Sequence, residues 1–263
     1  MVSEKRIPTM RNSLRSLLDK GVEVATVLDV GILTGTQPLI ETFPDRPHHL
    51  FEPVDLHFGQ IQKNYRNIDF HLHHVALSDS DGTTYLARRA IHRDGRITHS
   101  EVVETPVSRS EVPDLVDCLE IPRLRLDTVM ERESPPVPYL LKIDVDGHEM
   151  NVLRGAERSL EKCSVVVIEA PLNRVELPHF FERSAFLMSH GFYLMDIVDL
   201  AYYDGILWQA DLVFVSQSIV RARPELRPFE AEGFKFSGEN WYPLSDRLFK
   251  GWSEKQKLLE GGS

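Results

Sequence analysis

The sequence predicts an α/β fold with a mostly parallel central sheet and helices on both faces. Short apolar, β-branched segments typical of buried strands alternate with segments whose apolar residues recur at helical spacing. Parallel strands need long crossover connections, which are usually helices, so this alternation favours a parallel sheet. Several of the predicted strands also end in an acidic residue. Ligands of such folds bind beyond the carboxyl ends of the strands.

The composition narrows the classes of partner. The chain has 263 residues, 42% of them hydrophobic, with a formal net charge of −10. An acidic surface disfavours general binding to nucleic acid or to anionic membranes, so we expect neither partner. The N-terminus has no signal-peptide pattern, and no segment has the roughly 18–20 apolar residues of a membrane span. We therefore expect a cytoplasmic protein. The two cysteines, Cys118 and Cys163, have no metal-binding spacing.

The first half of the chain alternates helix and strand. A helix is predicted over residues 9–20 and ends at Gly21. Further strands are predicted over residues 24–30, 48–53 and 70–77, and further helices over residues 38–43 and 55–66. The stretch 83–109 differs, because it alternates in strand fashion around the Asp-Gly pair of a tight turn. It predicts a β-hairpin inserted between strands of the central sheet.

The second half repeats the pattern. A short strand and a helix start are predicted over residues 123–132, with Asp127 as a candidate N-cap. Buried strands at residues 138–145 and 164–171, helices at 148–160 and 179–190, and a strand, loop and strand over 192–216 follow. The main domain is therefore predicted to span residues 1–216. Residues 217–263 form an irregular, aromatic-rich extension, which we expect to pack on the main domain or on a partner subunit, as in a homodimer.

The run LLKIDVDGHE, residues 140–149, contains the main candidate site. A buried strand ends there in Asp144, Asp146, His148 and Glu149, around Gly147. Three carboxylates and an imidazole at the carboxyl end of a strand favour a ligand site. A turn followed by a solvated helix start is the alternative, since acids also favour a helix N-terminus.

A second candidate site follows the first strand. Asp29, Gly31 and Gly35 form a D-x-G-x-x-x-G turn, and Glu52 ends the next strand. In nucleotide-binding α/β folds an acid about 20 residues after such a turn binds ribose hydroxyls. The turn is neither the dinucleotide fingerprint nor a P-loop, which disfavours pyrophosphate ligands. S-adenosylmethionine, with an adenosine and a charged amino-acid tail, suits these residues better.

The segments VLDVGILTG, LFEP, HHVALSDSDG, RLDTV, LLKIDVDGHEMNVLRGA and VVVIEA occur in the order expected of the FkbM family. The chain resembles that family over roughly residues 24–170. The resemblance implies a Rossmann-like class I methyltransferase fold and S-adenosylmethionine as cofactor. It further implies O-methylation of a hydroxyl on a sugar, a glycan or a natural product. The chain departs from the family at Ile32–Gly35, and at Asp146, where the family commonly has glutamate.

The resemblance implies cofactor contacts at several strand ends. These are Asp29, Gly31 and Gly35 for the methionine end, Glu52 for the ribose, Ala76 and Leu77 for the adenine, and Asp144 beside the sulfonium and the acceptor. Loops over a rigid sheet often determine specificity, so the hairpin residues His92, Arg93, His99 and Ser100 are candidates for an acceptor lid. A plain surface hairpin is the alternative.

Methyl transfer to a hydroxyl requires a base, and His148 is the preferred candidate because an imidazole titrates near neutral pH. Asp144 is the alternative base, and Glu169 at the next strand end is the third catalytic candidate. The oxygens of Asp144, Asp146, Glu149 and Glu169 would also suit Mg²⁺, although such carboxylates often serve hydrogen bonds instead. We interpret His48, His49, His71, His73 and His74 as strand residues rather than metal ligands. The rival function is a non-catalytic Rossmann-like binding module that acts through its aromatic tail.

Overall fold

The computed structural model describes residues 7–90, 99–172, 179–230 and 233–235. The strands are β1 (Thr26–Val30), β2 (His48–Phe51), β3 (Phe70–His73), β4 (Ala76–Leu77), β5 (Gly82–Arg89), β6 (His99–Val103), β7 (Leu115–Leu124), β8 (Tyr139–Ile143), β9 (Cys163–Pro171), β10 (Phe192–Tyr203) and β11 (Ile206–Ser216). The helices are α1 (Met10–Asp19), α2 (Gln37–Thr42), α3 (Phe58–Asn64), α4 (Leu126–Glu133), α5 (Glu149–Arg154), α6 (Glu157–Leu160), α7 (His179–Ser189) and α8 (Gln217–Ala222).

Seven strands form the central sheet in the order β10-β11-β9-β8-β1-β2-β3. The pairs from β9 to β3 are all parallel, whereas β11 runs antiparallel to both of its neighbours. β11 is therefore the one reversed strand of this sheet. The carboxyl ends of β1, β2, β8 and β9 consequently lie at the same edge.

Helices cover both faces of the central sheet. One apolar core joins the sheet to α4, α5 and α7, and its buried members include Leu28, Leu141, Val129, Val152 and Leu187. A second core joins the opposite face to α1, α2 and α8, and its buried members include Val27, Leu140, Leu14, Leu39 and Val220. The predicted α/β fold, with a mostly parallel sheet and helices on both faces, is confirmed.

The inserted unit is larger than the predicted hairpin. β5 and β6 pair antiparallel, but β4 and β7 extend them into a four-stranded sheet of order β4-β7-β5-β6. β7 begins at Leu115 rather than near residue 123, and it includes Pro122. Its exposed polar residues obscure the alternation by which a strand is recognised in sequence. The predicted turn, over residues 91–98, lies outside the described residues.

The predicted strand 70–77 is wrong as one element. β3 ends at His73, and Ala76 and Leu77 pair with Arg123 and Leu124 of β7 in the second sheet. The backbone N–H of Val75 donates to the His73 carbonyl at 3.0 Å, which marks the turn between the two sheets. This short link fixes the second sheet beside the carboxyl edge of the first.

The predicted helix 148–160 is interrupted at Gly155. A Cβ atom on Gly155 would lie 1.9 Å from the carbonyl oxygen of Ser78, so glycine permits the close approach of the two backbones. Asp127 is not the N-cap of α4, where Arg125 has that position. Its carboxylate instead accepts from the backbone N–H groups of Arg158 and Ser159, at 3.0 and 2.7 Å, near the start of α6.

The first part of the C-terminal extension packs on the main domain. Val220 of α8 and Leu226 belong to the second apolar core. Residues 236–263, which contain most of the predicted aromatic surface, lie outside the described residues. Within the described ranges, every helix is too short or too polar to cross a lipid bilayer.

We expect Gly155→Ala to lower the free energy of unfolding by about 1–3 kcal/mol, because the new Cβ would overlap the Ser78 carbonyl. Gly59→Ala in α3 is the matched control, since its Cβ would have no atom within 4 Å. Alanine there should stabilise the helix by about 0.5–1 kcal/mol. Urea unfolding followed by circular dichroism measures both variants. A Gly155→Ala protein as stable as the parent would contradict the close approach.

Candidate functional site

A cleft that is partly open to solvent lies at the carboxyl edge of the central sheet. The segments that follow β1, β2 and β8 form one side of it. Leu86, Ser100 and Val102 of the inserted sheet form part of the other side. Three of the predicted strand-end groups therefore meet in one place: Gly31, Glu52 and the segment from Asp144 to His148.

Gly31 sets how closely β1 and β8 approach at the bottom of the cleft. It has a φ of 74°, and a Cβ there would lie 1.8 Å from the carbonyl oxygen of Asp144. The backbone N–H of Gly31 donates to the Phe51 carbonyl, and that of Asp144 donates to the Val30 carbonyl, both at 3.1 Å. The strand ends are thus joined beyond the regular sheet.

Glu52 directs a buried carboxylate to the cleft. The side chain belongs to a residue only 5% exposed, and it accepts from the backbone N–H groups of Leu33 and Val54, each at 2.9 Å. Burial raises its pKa to about 7, although these two hydrogen bonds oppose the rise. A carboxylate of this kind ties the β1 turn to β2 and retains lone pairs for a ligand's hydroxyl groups.

Lys142 of β8 is the residue that sequence reasoning missed. Its buried ammonium lies 3.2 Å from Asp144 Oδ2 and 3.7 Å from Asp29 Oδ1, and it donates to the Gly31 carbonyl at 3.3 Å. Burial lowers its pKa, but Asp144 and Asp29 outweigh that effect and raise it. A lysine inside the apolar run LLKIDV was the available signal, because a buried charge needs a partner.

Asp29 and Gly35 do not line the cleft, in contrast to the neighbouring Gly31. Asp29 is fully buried, and its Oδ2 accepts from the hydroxyl of Tyr65 at 3.3 Å. Burial raises its pKa, which Lys142 opposes. A Cβ on Gly35 would lie 3.1 Å from the Tyr65 ring. Both residues therefore support the turn from behind.

Asp144 and His148 lie on the cleft surface after β8. The Asp144 side chain is 42% exposed while one of its oxygens faces Lys142. His148 Nε2 lies 2.9 Å from Ser78 Oγ, and the Ser78 hydroxyl donates to Asp79 Oδ1 at 3.3 Å. Burial lowers the pKa of His148, with Asp79 opposing the shift. The imidazole of His148, whose neutral form is favoured, is therefore linked through Ser78 to the carboxylate of Asp79.

The remaining acids of the run have other partners. Glu149 is fully buried in an ion pair with Arg183 of α7. Its Oε1 also accepts from the backbone N–H groups of Val145 and Gly147, at 3.4 and 3.3 Å. This pair fixes the loop in which Asp146 has a φ of 47°.

A magnesium site formed by Asp144, Asp146, Glu149 and Glu169 is not supported. Across the described ranges, no group of three or more His, Cys, Asp or Glu side chains could hold a metal ion. The physical reason is that Arg183 and Lys142 already neutralise Glu149 and Asp144.

Glu169 lies beside the cleft rather than on its surface. It is opposite Asp211 in the β9–β11 pairing, and its Oε1 accepts from the side chain of Gln209. Burial and the neighbouring Asp144 raise the pKa of Glu169 to about 8 and that of Asp211 to about 7. Burial and the charge of Asp144 therefore both favour the protonated form of Glu169.

Ala76 and Leu77 line an apolar part of the cleft. Ala76 belongs to a small core with Val54, Leu86 and Ile121, which joins the two sheets. Ser100 also lines the cleft, whereas His92, Arg93 and the side chain of His99 lie outside the described residues.

Three of the strand histidines, His49, His71 and His73, form a ring stack. The rings of His49 and His71 stack at 4.9 Å, and those of His49 and His73 at 5.3 Å. Burial and the two neighbouring imidazoles lower the pKa of His49 to about 4.

The family model described as the methyltransferase FkbM domain matches residues 36–198. The matched range begins after the β1 turn, where the chain departs from the usual glycine pattern. None of the curated proteins matches this sequence.

Several solved structures are remotely similar. One is a precorrin-6y C5,15-methyltransferase from Geobacter metallireducens, with 12% identity, a TM-score of 0.38, and coverage of 81% of this chain and 92% of that one. Another is the fibrillarin pre-rRNA processing protein of Methanococcus jannaschii, with 11% identity, a TM-score of 0.44, and coverage of 82% and 84%. A third is fibrillarin from Aeropyrum pernix with natively bound S-adenosyl-L-methionine, with 14% identity, a TM-score of 0.41, and coverage of 82% and 84%.

We expect Lys142→Met to lower the free energy of unfolding by about 3–5 kcal/mol, because Asp29 would remain buried without its cation. Adding Asp29→Asn should restore part of the loss, since the uncompensated carboxylate is then removed. Lys63→Met, at an exposed position of α3, is the matched control. Chemical unfolding of the four proteins measures the effect. A Lys142→Met protein with parental stability would rule out the proposed bridge.

Proposed function

The chain belongs to the FkbM methyltransferase family, and from this premise we propose that it transfers the methyl group of S-adenosylmethionine to a hydroxyl oxygen of a small acceptor. One observation carries the proposal. The buried carboxylate of Glu52, an apolar wall, the part-exposed carboxylate of Asp144 and the imidazole of His148 all line a single cleft at the strand ends. The resemblance to the family favours a sugar, a glycan or another natural product as the acceptor.

The residues present suit the cofactor. The cleft lies at the carboxyl ends of parallel strands, which is where α/β folds bind small ligands. Glu52 would bind the ribose hydroxyls through its carboxylate, and Ala76 and Leu77 would contact the adenine. Gly31 brings its backbone to the floor of the cleft, where the methionine end would lie. Asp29 and Gly35 would act indirectly, by supporting this turn.

When bound, S-adenosylmethionine supplies an electrophilic methyl group on its sulfonium. The chain must align an acceptor hydroxyl with that group and remove the hydroxyl proton. We assign the removal of this hydroxyl proton to His148. Its Nε2–H donates to Ser78 Oγ, whose own proton is directed to Asp79, and this leaves Nδ1 unprotonated and able to accept. The lowered pKa favours this neutral form.

Asp144 would orient the acceptor, and Glu169 would act from beside the cleft. The exposed oxygen of Asp144 can accept a hydrogen bond from a second hydroxyl, while Lys142 fixes the position of the carboxylate. The raised pKa of Glu169 favours its neutral form, which would avoid a second negative charge close to Asp144. Asp144 is the alternative base.

We expect the affinity for S-adenosylhomocysteine to fall about tenfold between pH 8 and pH 6, because ribose hydroxyls donate to the ionised form of Glu52. Its pKa of about 7 in the free protein means that binding must increasingly compete with protonation as the pH falls through 7. Calorimetry at several pH values measures this, with Glu52→Gln as the control. Glu52→Gln should bind more weakly and show a flat profile. An equally steep profile in that variant would assign the dependence to another group.

We expect His148→Ala to lower turnover by about 10²–10⁴-fold, because the general base is removed. Its affinity for S-adenosylhomocysteine should change by less than about twofold. Transfer of labelled methyl groups to a panel of hydroxylated acceptors measures turnover, with exposed His190→Ala as the control. Normal turnover in His148→Ala with an inactive Asp144→Asn would make Asp144 the base. Near-normal turnover in both would exclude this cluster, and cofactor binding without any product would favour a non-catalytic module.

A further inference from the structure

The inserted sheet presents an ordered set of side chains to the cleft. Leu86 of β5 pairs with Val102 of β6, and Arg88 pairs with Ser100. Residues that pair across an antiparallel ladder share a face, as do residues two apart along a strand. These four side chains therefore project from one face. Along that face, the apolar row of Leu86 and Val102 is followed by the polar row of Arg88 and Ser100.

The apolar row faces an apolar wall of the central domain. Leu86 is buried against Val54 and Ala76, and Val102 packs on the same cluster. All four residues line the cleft, and so does Leu77. Together these side chains form an apolar wall of the cleft where the two sheets meet. A flat apolar group that lies on this wall would lose part of its contact with water.

The polar row is continued by His57, which lines the same cleft after β2. Burial and the nearby Arg88 lower the pKa of His57, so its ring is neutral near pH 7. Its Nε2 has no hydrogen-bond partner among the described residues. Arg88 is itself committed to Asp117, to which its Nε donates at 2.6 Å. The polar groups directed to a ligand here are thus a hydroxyl and a neutral imidazole, each able to donate and to accept.

We propose that the inserted sheet recognises the adenine base of the cofactor, with Leu86 and Val102 against the face of the ring and Ser100 and His57 at its polar edge. A purine has apolar faces and an edge of donors and acceptors, and this part of the cleft complements both with its apolar wall and its polar groups. The proposal rests on the proposed function, since it names the part of the cofactor that this sheet binds. It assigns the insertion to cofactor selection rather than to acceptor binding.

Calorimetry with two ligands tests the proposal. S-adenosylhomocysteine and S-inosylhomocysteine differ only at the polar edge of the base, where a keto oxygen replaces the 6-amino group. We expect the protein to bind the adenine ligand about tenfold more tightly. The double variant His57→Ala/Ser100→Ala should reduce that ratio to below about threefold. Val102→Ala should instead weaken both ligands equally, by about tenfold, and keep the ratio.

The matched control is His190→Ala/Ser110→Ala, which removes the same side chains from exposed positions away from the cleft. If the double variant does not fold, the single variants His57→Gln and Ser100→Ala give the same readout. A parental ratio in these variants would overturn base recognition by the insertion and leave the proposed function intact. A parent protein that binds neither ligand would overturn both proposals.

Discussion

The buried ammonium of Lys142 is the interaction on which the cleft depends. It lies between the ends of β1 and β8, where it faces Asp29, Asp144 and the Gly31 carbonyl. Burying a carboxylate as deeply as Asp29 is costly unless a cation is close. The same ammonium opposes the rise in the pKa of Glu52 and of Asp211. One cation therefore interacts with the carboxylate that supports the β1 turn and with Glu52 and Asp144 of the cleft.

Close backbone contacts give this charged centre its shape. At Gly31 the β1 turn touches the Asp144 carbonyl, and at Gly155 the α5–α6 junction touches the Ser78 carbonyl. The first contact brings the turn to the base of the cleft. The second fixes Ser78, whose hydroxyl meets the imidazole of His148. The buried pair of Glu149 and Arg183 orders the loop between these two points. Close packing and charge pairing thus act together on the same few side chains.

Periodicity predicted the alternating strands and helices because those elements bury continuous apolar faces. It also placed Glu52, Asp144 and His148 at strand ends that meet. It could not divide residues 70–77, since the strand-like pattern continues from β3 into β4 and does not show which sheet each strand joins. The extent of β7 was hidden by its exposed polar residues. Lys142 was missed because the groups that it bridges, Asp29 and the Gly31 carbonyl, lie at the end of another strand. Asp29 was predicted to contact the ligand because a local motif does not reveal which side of a turn a carboxylate faces.

We propose that this cleft binds S-adenosylmethionine through Glu52, with the sulfur end toward Asp144 and His148. A crystal structure of the protein with S-adenosylhomocysteine tests this proposal most directly. We expect density for the ribose within hydrogen-bonding distance of the Glu52 carboxylate, for the adenine against Ala76 and Leu86, and for the sulfur nearest Asp144. Ligand density elsewhere on the protein, or an empty cleft at saturating ligand, would contradict it.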